Sequence, residues 1–147
     1  MTGERRFVVD TSVAIKWIID EAGSDKADLL RGADMAAPAL LRIEAANVLR
    51  TLAARQGVSA EQATDLFLLL QTAPVTIVDA DDALERRALD LALELRHPVY
   101  DCLYLALADR MDRQLITADQ RFLRSLANTE HAARAVDLAA LGPVPPG

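Results

Sequence analysis

The sequence has 147 residues, of which 52% are hydrophobic and 26% are charged. These proportions match one compact domain with a single buried core and argue against a disordered chain or a two-domain protein. Charged residues interrupt every apolar run well before the roughly 18 residues that a membrane helix needs. The first residues lead into only a short apolar stretch, so we expect a protein that is not exported, has no membrane association and is cytoplasmic.

The counts of cysteine and histidine limit the kinds of metal site. The chain has one cysteine, Cys102, and two histidines, His97 and His131. One cysteine excludes an internal disulfide, and this composition excludes a Cys/His zinc cluster. Any metal ion is therefore expected to have oxygen ligands. Both histidines are expected to be structural, and His97, beside Pro98, is expected to interrupt a helix.

The charge balance disfavours unspecific binding to nucleic acid. Sixteen Lys and Arg against 22 Asp and Glu give a net charge of −6, so bulk electrostatics do not attract a polyanion such as RNA. Only two of the cations, Lys16 and Lys26, are lysines. The others are arginines, whose guanidinium groups suit bidentate phosphate contacts. Binding of nucleic acid therefore has to come from a local site.

Apolar periodicity and turn residues predict strands that alternate with helices. Strands are predicted over 7–9, 35–37, 75–78, 114–117 and 135–136. Helices are predicted to begin at Val13 and to cover 24–31, 38–57, 59–71, 79–96, 98–111 and 119–126. This alternation predicts an α/β fold in which helices cover both faces of a mainly parallel sheet.

Local turn chemistry sets several of these boundaries. Pro38 is predicted to open the long third helix and Gly57 to close it. Ser59 and Gln62 have the spacing of a capping box that opens the next helix. The sequence has no internal repeat or linker, so we expect one domain over 1–141 and a loose Pro/Gly-rich tail over 142–147.

Two acidic residues interrupt patterns that otherwise predict buried structure. This is informative because burying a carboxylate costs several kcal/mol unless something compensates it. Glu44 lies on a mainly apolar helical stripe, and neither Arg42 nor Arg50 is spaced three or four residues away to pair with it. Asp10 ends the first strand, at the edge where parallel sheets bind ligands. An N-cap for the following helix is the simpler interpretation of Asp10.

Two further acids appear late in the chain. Asp101 opens a helix that is apolar all round and therefore expected to be buried, although an acid in a first turn is also favoured by the helix dipole. Asp119 follows a predicted strand. A purely structural interpretation is available there, because Thr117 and Gln120 have the spacing of a capping box across it.

The four acids together favour a functional site more strongly than any one of them does alone. Two at strand ends and two on buried helices are expected to converge at the carboxyl edge of the sheet, and converging carboxylates need a cation. Mg²⁺ or Mn²⁺ suits a set of oxygen ligands. Such an ion can lower the pKa of a bound water and stabilise charge on a leaving oxygen, which is the chemistry of phosphodiester hydrolysis.

Each acid lies in a distinctive segment. The segments are FVVDTSVAIKW (7–17), LRIEAANVL (41–49), HPVYDCLYLALA (97–108) and LITADQRF (115–122). In order, spacing and flanking residues they resemble the signature segments of PIN-domain ribonucleases, specifically the VapC-type toxins, and the resemblance spans nearly the whole chain.

This resemblance implies both a fold and an activity. The fold is a three-layer α/β/α sandwich, and the activity is endonucleolytic cleavage of RNA. The resemblance further implies a cognate antitoxin protein as partner, and it favours a homodimer.

The resemblance also implies roles for single residues. The Mg²⁺ or Mn²⁺ ligands would be Asp10, Glu44, Asp101 and Asp119. Polar residues that would support the site or its metal-bound water are Thr11, Asn47 and Thr117.

Two arginines are candidates for RNA contact. Arg121 and Arg124 share a helical face just after Asp119 and could grip phosphates, although a solvated face explains them equally well. The aromatic residues show no stacking pattern, so single-strand binding through stacking alone is disfavoured.

Other functions fit less well. A haloacid-dehalogenase-like phosphatase needs a second acid two residues after Asp10, where Ser12 stands. A receiver domain would use Asp79 and a lysine near a late strand, whereas both lysines precede residue 30. A non-catalytic metal- or protein-binding module on the same fold is the alternative from a different class. Assays of RNA cleavage with and without Mn²⁺ separate it from a nuclease.

Overall fold

The computed structural model describes residues 5–142. Within them the strands are β1 (Arg6–Val9), β2 (Asp34–Pro38), β3 (Val75–Val78), β4 (Gln114–Thr117) and β5 (Ala135–Asp137). The α-helices are α1 (Thr11–Ala14), α2 (Ser24–Asp28), α3 (Leu40–Ala54), α4 (Ala60–Gln71), α5 (Asp82–Leu95), α6 (Val99–Met111) and α7 (Gln120–Leu126). Short 3₁₀ turns cover Ile15–Trp17, Ala132–Arg134 and Leu138–Ala140.

The five strands form one sheet in the order β3-β2-β1-β4-β5. Every neighbouring pair is parallel, which confirms the predicted α/β fold with its parallel central sheet. The chain moves outward from β1 to β3 on one side and then returns to place β4 on the other side of β1. The carboxyl ends of β1 and β4 therefore lie at a switch point, where open parallel sheets have a crevice for ligands.

Helix α6 lies at the centre of the core. It contacts β1, β2, β4 and α5, and the run from Tyr104 to Ala108 is completely buried. A helix that packs against neighbours on all sides has no polar face, so the apolar sequence of α6 correctly predicts its burial.

Several predicted helix boundaries differ from the structure. The first helix begins at Thr11 instead of Val13, and the helix predicted over 79–96 begins at Asp82. Pro38 ends β2 instead of opening α3. Proline has no backbone N–H to donate, but it is tolerated at this position because Ala39 N donates to the Val78 carbonyl at 3.1 Å. Gln56, at φ 61°, takes the left-handed position after α3, whereas Gly57 only follows it and donates to Leu52 O at 2.8 Å. Helix α2 ends at Asp28, and the residues up to 31 continue as tighter turns with i→i−3 bonds.

The predicted caps have mixed outcomes. Ser59 and Gln62 form the expected capping box, with distances of 3.0 and 2.8 Å. The capping box between Thr117 and Gln120 is wrong, because Asp119 itself caps α7 by accepting from the backbone of Phe122 at 3.1 Å. Asp119 directly precedes the helix and caps it, whereas Thr117 is the last residue of β4 and its hydroxyl group donates to Asp10.

The predicted C-terminal tail and the bounds of the predicted domain extend beyond the described residues. The tail predicted over 142–147 lies outside the described residues except for Gly142, and a single domain over 1–141 stays a prediction. No helix within residues 5–142 has the length and apolar run required to cross a bilayer.

Candidate functional site

A cavity of about 500 Å³ opens where β1 and β4 end. All four predicted acids line it, and so do Thr11 and Asn47. The topology explains the convergence, because Asp10 directly follows β1, Asp119 follows β4 by two residues, and helices α3 and α6 supply the other two acids. The predicted acids therefore share one cavity, although they are distant in sequence.

Asp10 is the most enclosed of the four. It is only 5% exposed, and hydroxyl groups donate to both of its carboxylate oxygens: Ser12 Oγ to Oδ1 at 2.5 Å, and Thr117 Oγ1 to Oδ2. Burial raises the pKa of Asp10 to about 7, and the nearby charge of Asp101 adds to this effect. Asp10 occupies the N-cap position of α1, where its side chain makes no capping hydrogen bond, although the backbone N–H of Val13 favours its ionised form.

Glu44 is half-buried and is held by two other hydroxyl groups. Thr11 Oγ1 donates to Glu44 Oε1 at 3.0 Å, and Tyr104 OH donates to the same oxygen at 2.5 Å. Burial raises the pKa of the Tyr104 hydroxyl, so that it stays protonated and remains a donor. The position of Glu44 at the cavity therefore depends on contacts from α1 and α6.

Asp101 has an imidazole as its partner. His97 Nε2 lies 2.6 Å from Asp101 Oδ2. Burial raises the pKa of Asp101, and the neighbouring Asp119 raises it further, while His97 and Arg121 act in the opposite direction. The His97 side chain is 6% exposed, and its ring centroid lies 4.9 Å from that of Phe122.

The carboxylate of Asp119 caps α7 and also lines the cavity. Its backbone N–H donates to Thr117 Oγ1 at 3.1 Å, and the same hydroxyl donates to Asp10. Thr117 thus ties the loop after β4 to the end of β1.

The other predicted site residues vary in their distance from the cavity. Asn47 is exposed at its edge. Arg121 lies close enough to Asp101 to favour its ionised form. Arg124 is exposed in the last turn of α7 and is not among the residues that line the cavity.

Three residues that contact the acids were missed as site residues by sequence reasoning. Ser12 follows Asp10 by two positions, a spacing at which a hydroxyl group can reach a carboxylate. Tyr104 is a polar-tipped side chain in a buried apolar run, and a buried tyrosine hydroxyl usually needs a partner. His97 precedes Asp101 by four positions, but Pro98 between them obscured the helical relation.

A different group of side chains comes closest to a ready-made set of metal donors. In residues 5–142, the only three donor atoms from His, Cys, Asp or Glu that lie within 4.8 Å of one another belong to Glu94, Glu130 and His131. This group contains a nitrogen donor, which departs from the expectation of oxygen ligands alone. Glu94 and Glu130 are 50% and 81% exposed, and none of the three residues lines the acidic cavity. We interpret it as a surface group in which His131 hydrogen-bonds to Glu94.

Comparisons with known proteins place this geometry in a family. Residues 7–127 match the family model of the PIN domain. A search among curated proteins finds no match. Solved structures with the same fold include PAE2754 from Pyrobaculum aerophilum, with 22% identity and a TM-score of 0.69 over 92% of this chain and 85% of that one.

Two other similar structures are a toxin-antitoxin complex and a toxin. A toxin-antitoxin complex from Klebsiella pneumoniae has 17% identity and a TM-score of 0.64 over 89% of this chain and 96% of that one. VapC20 from Mycobacterium tuberculosis, described as a toxin that cleaves the Sarcin-Ricin loop, has 17% identity and a TM-score of 0.60 over 95% of this chain and 99% of that one. Because the family model matches most of its length, this chain belongs to the PIN domain family, whose members are nucleases that generally use divalent metal ions.

Proposed function

We propose that this protein is an endoribonuclease that cleaves RNA phosphodiester bonds with Mg²⁺ or Mn²⁺ held by Asp10, Glu44, Asp101 and Asp119. The observation that carries the proposal is the convergence of these four carboxylates on one cavity in a PIN-domain chain. Hydrolysis of a phosphodiester needs compensation of negative charge, and a cavity lined with carboxylates achieves this through a bound cation.

The donor chemistry fits such an ion. All four side chains offer oxygen, which hard divalent cations prefer. Asp10 supports the fit most directly, because a buried carboxylate with a raised pKa becomes a stable anion when a cation lies beside it. A bound ion would lower the pKa of a coordinated water and stabilise charge on the leaving oxygen.

The protein's own residues orient the carboxylates. Ser12 and Thr117 fix both oxygens of Asp10, and Thr11 and Tyr104 fix Oε1 of Glu44. These bonds come from the protein itself, which limits the reorganisation that binding requires.

Polar and cationic groups near the cavity are proposed to bind the RNA. Asn47 is exposed at the edge of the cavity and would support the site or its metal-bound water. Arg121, close to Asp101, would contact a phosphate. Arg124 would contact a phosphate further along the RNA strand.

Substitution of the acids tests the nuclease. We expect Asp10→Asn, Glu44→Gln and Asp101→Asn each to abolish nearly all Mn²⁺-dependent cleavage of RNA on gels, with circular dichroism showing a folded protein. Asp65→Asn, an exposed acid on α4, is the matched control and should cleave like the wild type. A variant of the three that retains wild-type cleavage would remove its residue from the site. A wild type that binds RNA or Mn²⁺ without cleaving would indicate a non-catalytic module instead.

We further propose that the nuclease is the toxin of a toxin-antitoxin pair and acts in the cytoplasm as a homodimer. Several structures with the same fold are toxin-antitoxin complexes. If all four acids are ionised, they account for −4 of the net charge of −6 and leave −2 for the rest of the chain. We therefore expect the field to be most negative at the cavity, and an antitoxin would neutralise it by inserting an arginine or lysine.

Expression of the chain alone tests the toxin role. We expect induction of the wild type to arrest growth, Asp10→Asn to leave growth unaffected, and co-expression of the neighbouring gene to relieve the arrest. Equal slowing by the wild type and Asp10→Asn would contradict a toxicity based on nuclease activity. Light scattering of the purified protein tests the homodimer separately.

A further inference from the structure

The partner of Asp101 sets it apart from the other acids of the cavity. Asp10 and Glu44 accept bonds from hydroxyl groups, whereas Asp101 Oδ2 lies 2.6 Å from His97 Nε2. Asp101 is also only half-buried, so it has fewer neighbours than Asp10 to hold its side chain. The imidazole is therefore the main restraint on this carboxylate.

The fold places His97 there through an abrupt change of direction between two helices. Arg96 ends α5 in a left-handed conformation at φ 53°, and Pro98 is the N-cap of α6. His97 N donates to Ala92 O at 3.2 Å, which fixes the backbone of His97 at the end of α5. From this position the side chain reaches the first turn of α6.

The imidazole ring is fixed on its other side by α7. Its centroid lies 4.9 Å from the ring of Phe122 at an interplanar angle of 46°, and Phe122 is completely buried. The backbone N–H of Phe122 donates to Asp119 Oδ1. His97 therefore touches Asp101 directly and also packs on the residue that holds Asp119.

We propose that His97 is a positioning residue for the metal site: its Nε2–H holds the carboxylate of Asp101 in the orientation that binds the cation. This inference rests on the proposed metal-dependent function. An ionised carboxylate offers only acceptors, so the hydrogen of this bond must lie on His97 Nε2. Hydrogen-bond partners of metal-ligating carboxylates fix their orientation, and loss of such a partner typically lowers metal affinity by roughly 10–100-fold.

The chain contains a matched control for a purely structural role. His131 is a second nearly buried imidazole, and its Nε2 lies 2.7 Å from Glu94 Oε2, away from the cavity. If His97 serves only to join α5 to α6, its loss will lower the free energy of unfolding without changing the affinity for metal. A positioning role changes the affinity itself.

The test compares Mn²⁺ affinity, measured by calorimetry, with metal-free thermal melting in four proteins. His97→Phe keeps an aromatic ring against Phe122 but has no N–H, whereas His97→Gln keeps an N–H donor at the position of Nε2. We expect His97→Phe to bind Mn²⁺ about 10–100-fold more weakly than the wild type. We expect His97→Gln to recover most of that loss and His131→Phe to bind like the wild type.

The outcomes distinguish the role of His97 from the proposed metal-dependent function. Wild-type affinity in a folded His97→Phe would overturn the role of His97 and leave the metal site standing. Absence of Mn²⁺ binding by the wild type would overturn both. Loss of binding in His131→Phe alone would place the ion at Glu94, Glu130 and His131.

A measurement on the wild type covers the case in which His97→Phe fails to fold. Nitrogen-15 NMR of the imidazole is expected to show hydrogen on Nε2, with a resonance that shifts on titration with Mg²⁺ while the signals of His131 stay in place. A His97 resonance that ignores saturating Mg²⁺ would overturn the inference.

Discussion

Tyr104 OH donates to Glu44 Oε1 at 2.5 Å and so connects the buried helix α6 to the acid of α3, 60 positions away in the sequence. Thr11 Oγ1 lies 3.0 Å from the same phenolic oxygen and also donates to Glu44. The three side chains form one connected group, so the exposed edge of the cavity is anchored to the core of the protein.

This relation predicts the effect of removing a single oxygen atom. Tyr104→Phe removes one of the two hydroxyl donors to Glu44, and a hydrogen bond to a charged group contributes roughly 1.5–3 kcal/mol. We expect the free energy of unfolding in urea to fall by about that amount. Tyr100→Phe, at an exposed tyrosine of the same cavity, should change it by less than about 0.5 kcal/mol. Equal stability of the two variants would show that the Tyr104 bond contributes nothing.

The buried Asp10 predicts how stability depends on pH. Its pKa is raised from 3.8 to about 7 in the folded state, so between these values the folded protein binds more protons than the unfolded chain. Without metal, the free energy of unfolding should therefore fall as the pH rises from about 4 to 7 and level off above that. The loss is on the order of a few kcal/mol.

Urea denaturation in EDTA between pH 5 and pH 8 checks this pH dependence. Asp10→Asn cannot titrate at this position, so its stability should fall less than that of the wild type, and its metal-free stability at pH 8 should equal or exceed the wild-type value. Parallel pH profiles for the two proteins would mean that Asp10 is ionised in the folded protein throughout the range.

We expect added metal to stabilise the folded protein by binding in the cavity. A ligand that binds only the folded state adds about 2.7 kcal/mol at 100 times its Kd, so Mn²⁺ should raise the Tm of the wild type. The increase should shrink strongly in Glu44→Gln. It should shrink less in Asp119→Asn, because the carboxylate of Asp119 is already used to cap α7 and asparagine also caps helices. Equal increases in all variants would place the ion elsewhere.

The end of α3 offers a prediction about stability alone. Gln56 has φ 61°, a left-handed conformation that costs a residue with a β-carbon roughly 1–2 kcal/mol. Gln56→Gly removes this cost, although glycine also gains entropy in the unfolded chain. We expect a net gain of about 0.5–1 kcal/mol in chemical denaturation, with no change for Gln56→Ala. A loss of stability in Gln56→Gly would show that the glutamine side chain itself stabilises this turn.

The four acids that line the cavity could be found from the sequence because of their positions relative to the predicted strands and helices. Asp10 ends a buried strand and Asp101 opens an apolar helix, so their positions relative to those elements fix where they lie. Because strands alternate with helices, the sheet is expected to be parallel and the ends of its strands meet at one edge. This expectation required no knowledge of individual contacts. The order of the strands in the sheet could not be predicted from these patterns and is known only from the structure.

The contacts around the acids could not be found in the same way. Which hydroxyl reaches which oxygen depends on register between elements that are far apart in sequence, as for Thr117 on Asp10 or Tyr104 on Glu44. The Thr117 spacing that suggested a capping box was misleading for this reason: its hydroxyl has a tertiary partner, which competes with the local one.

The bond between Asp10 and Thr117 also bears on how the protein is made. It spans 107 positions and joins the first strand to the fourth. Translation delivers the N-terminal segments first. A growing chain that ends before Gln114 lacks β4, which is one of the two strands that pair with β1, and it also lacks Asp119 and the Thr117 hydroxyl that donates to Asp10. The ribosome that synthesises this chain therefore does not carry a completed acidic cavity until Asp119 has been added.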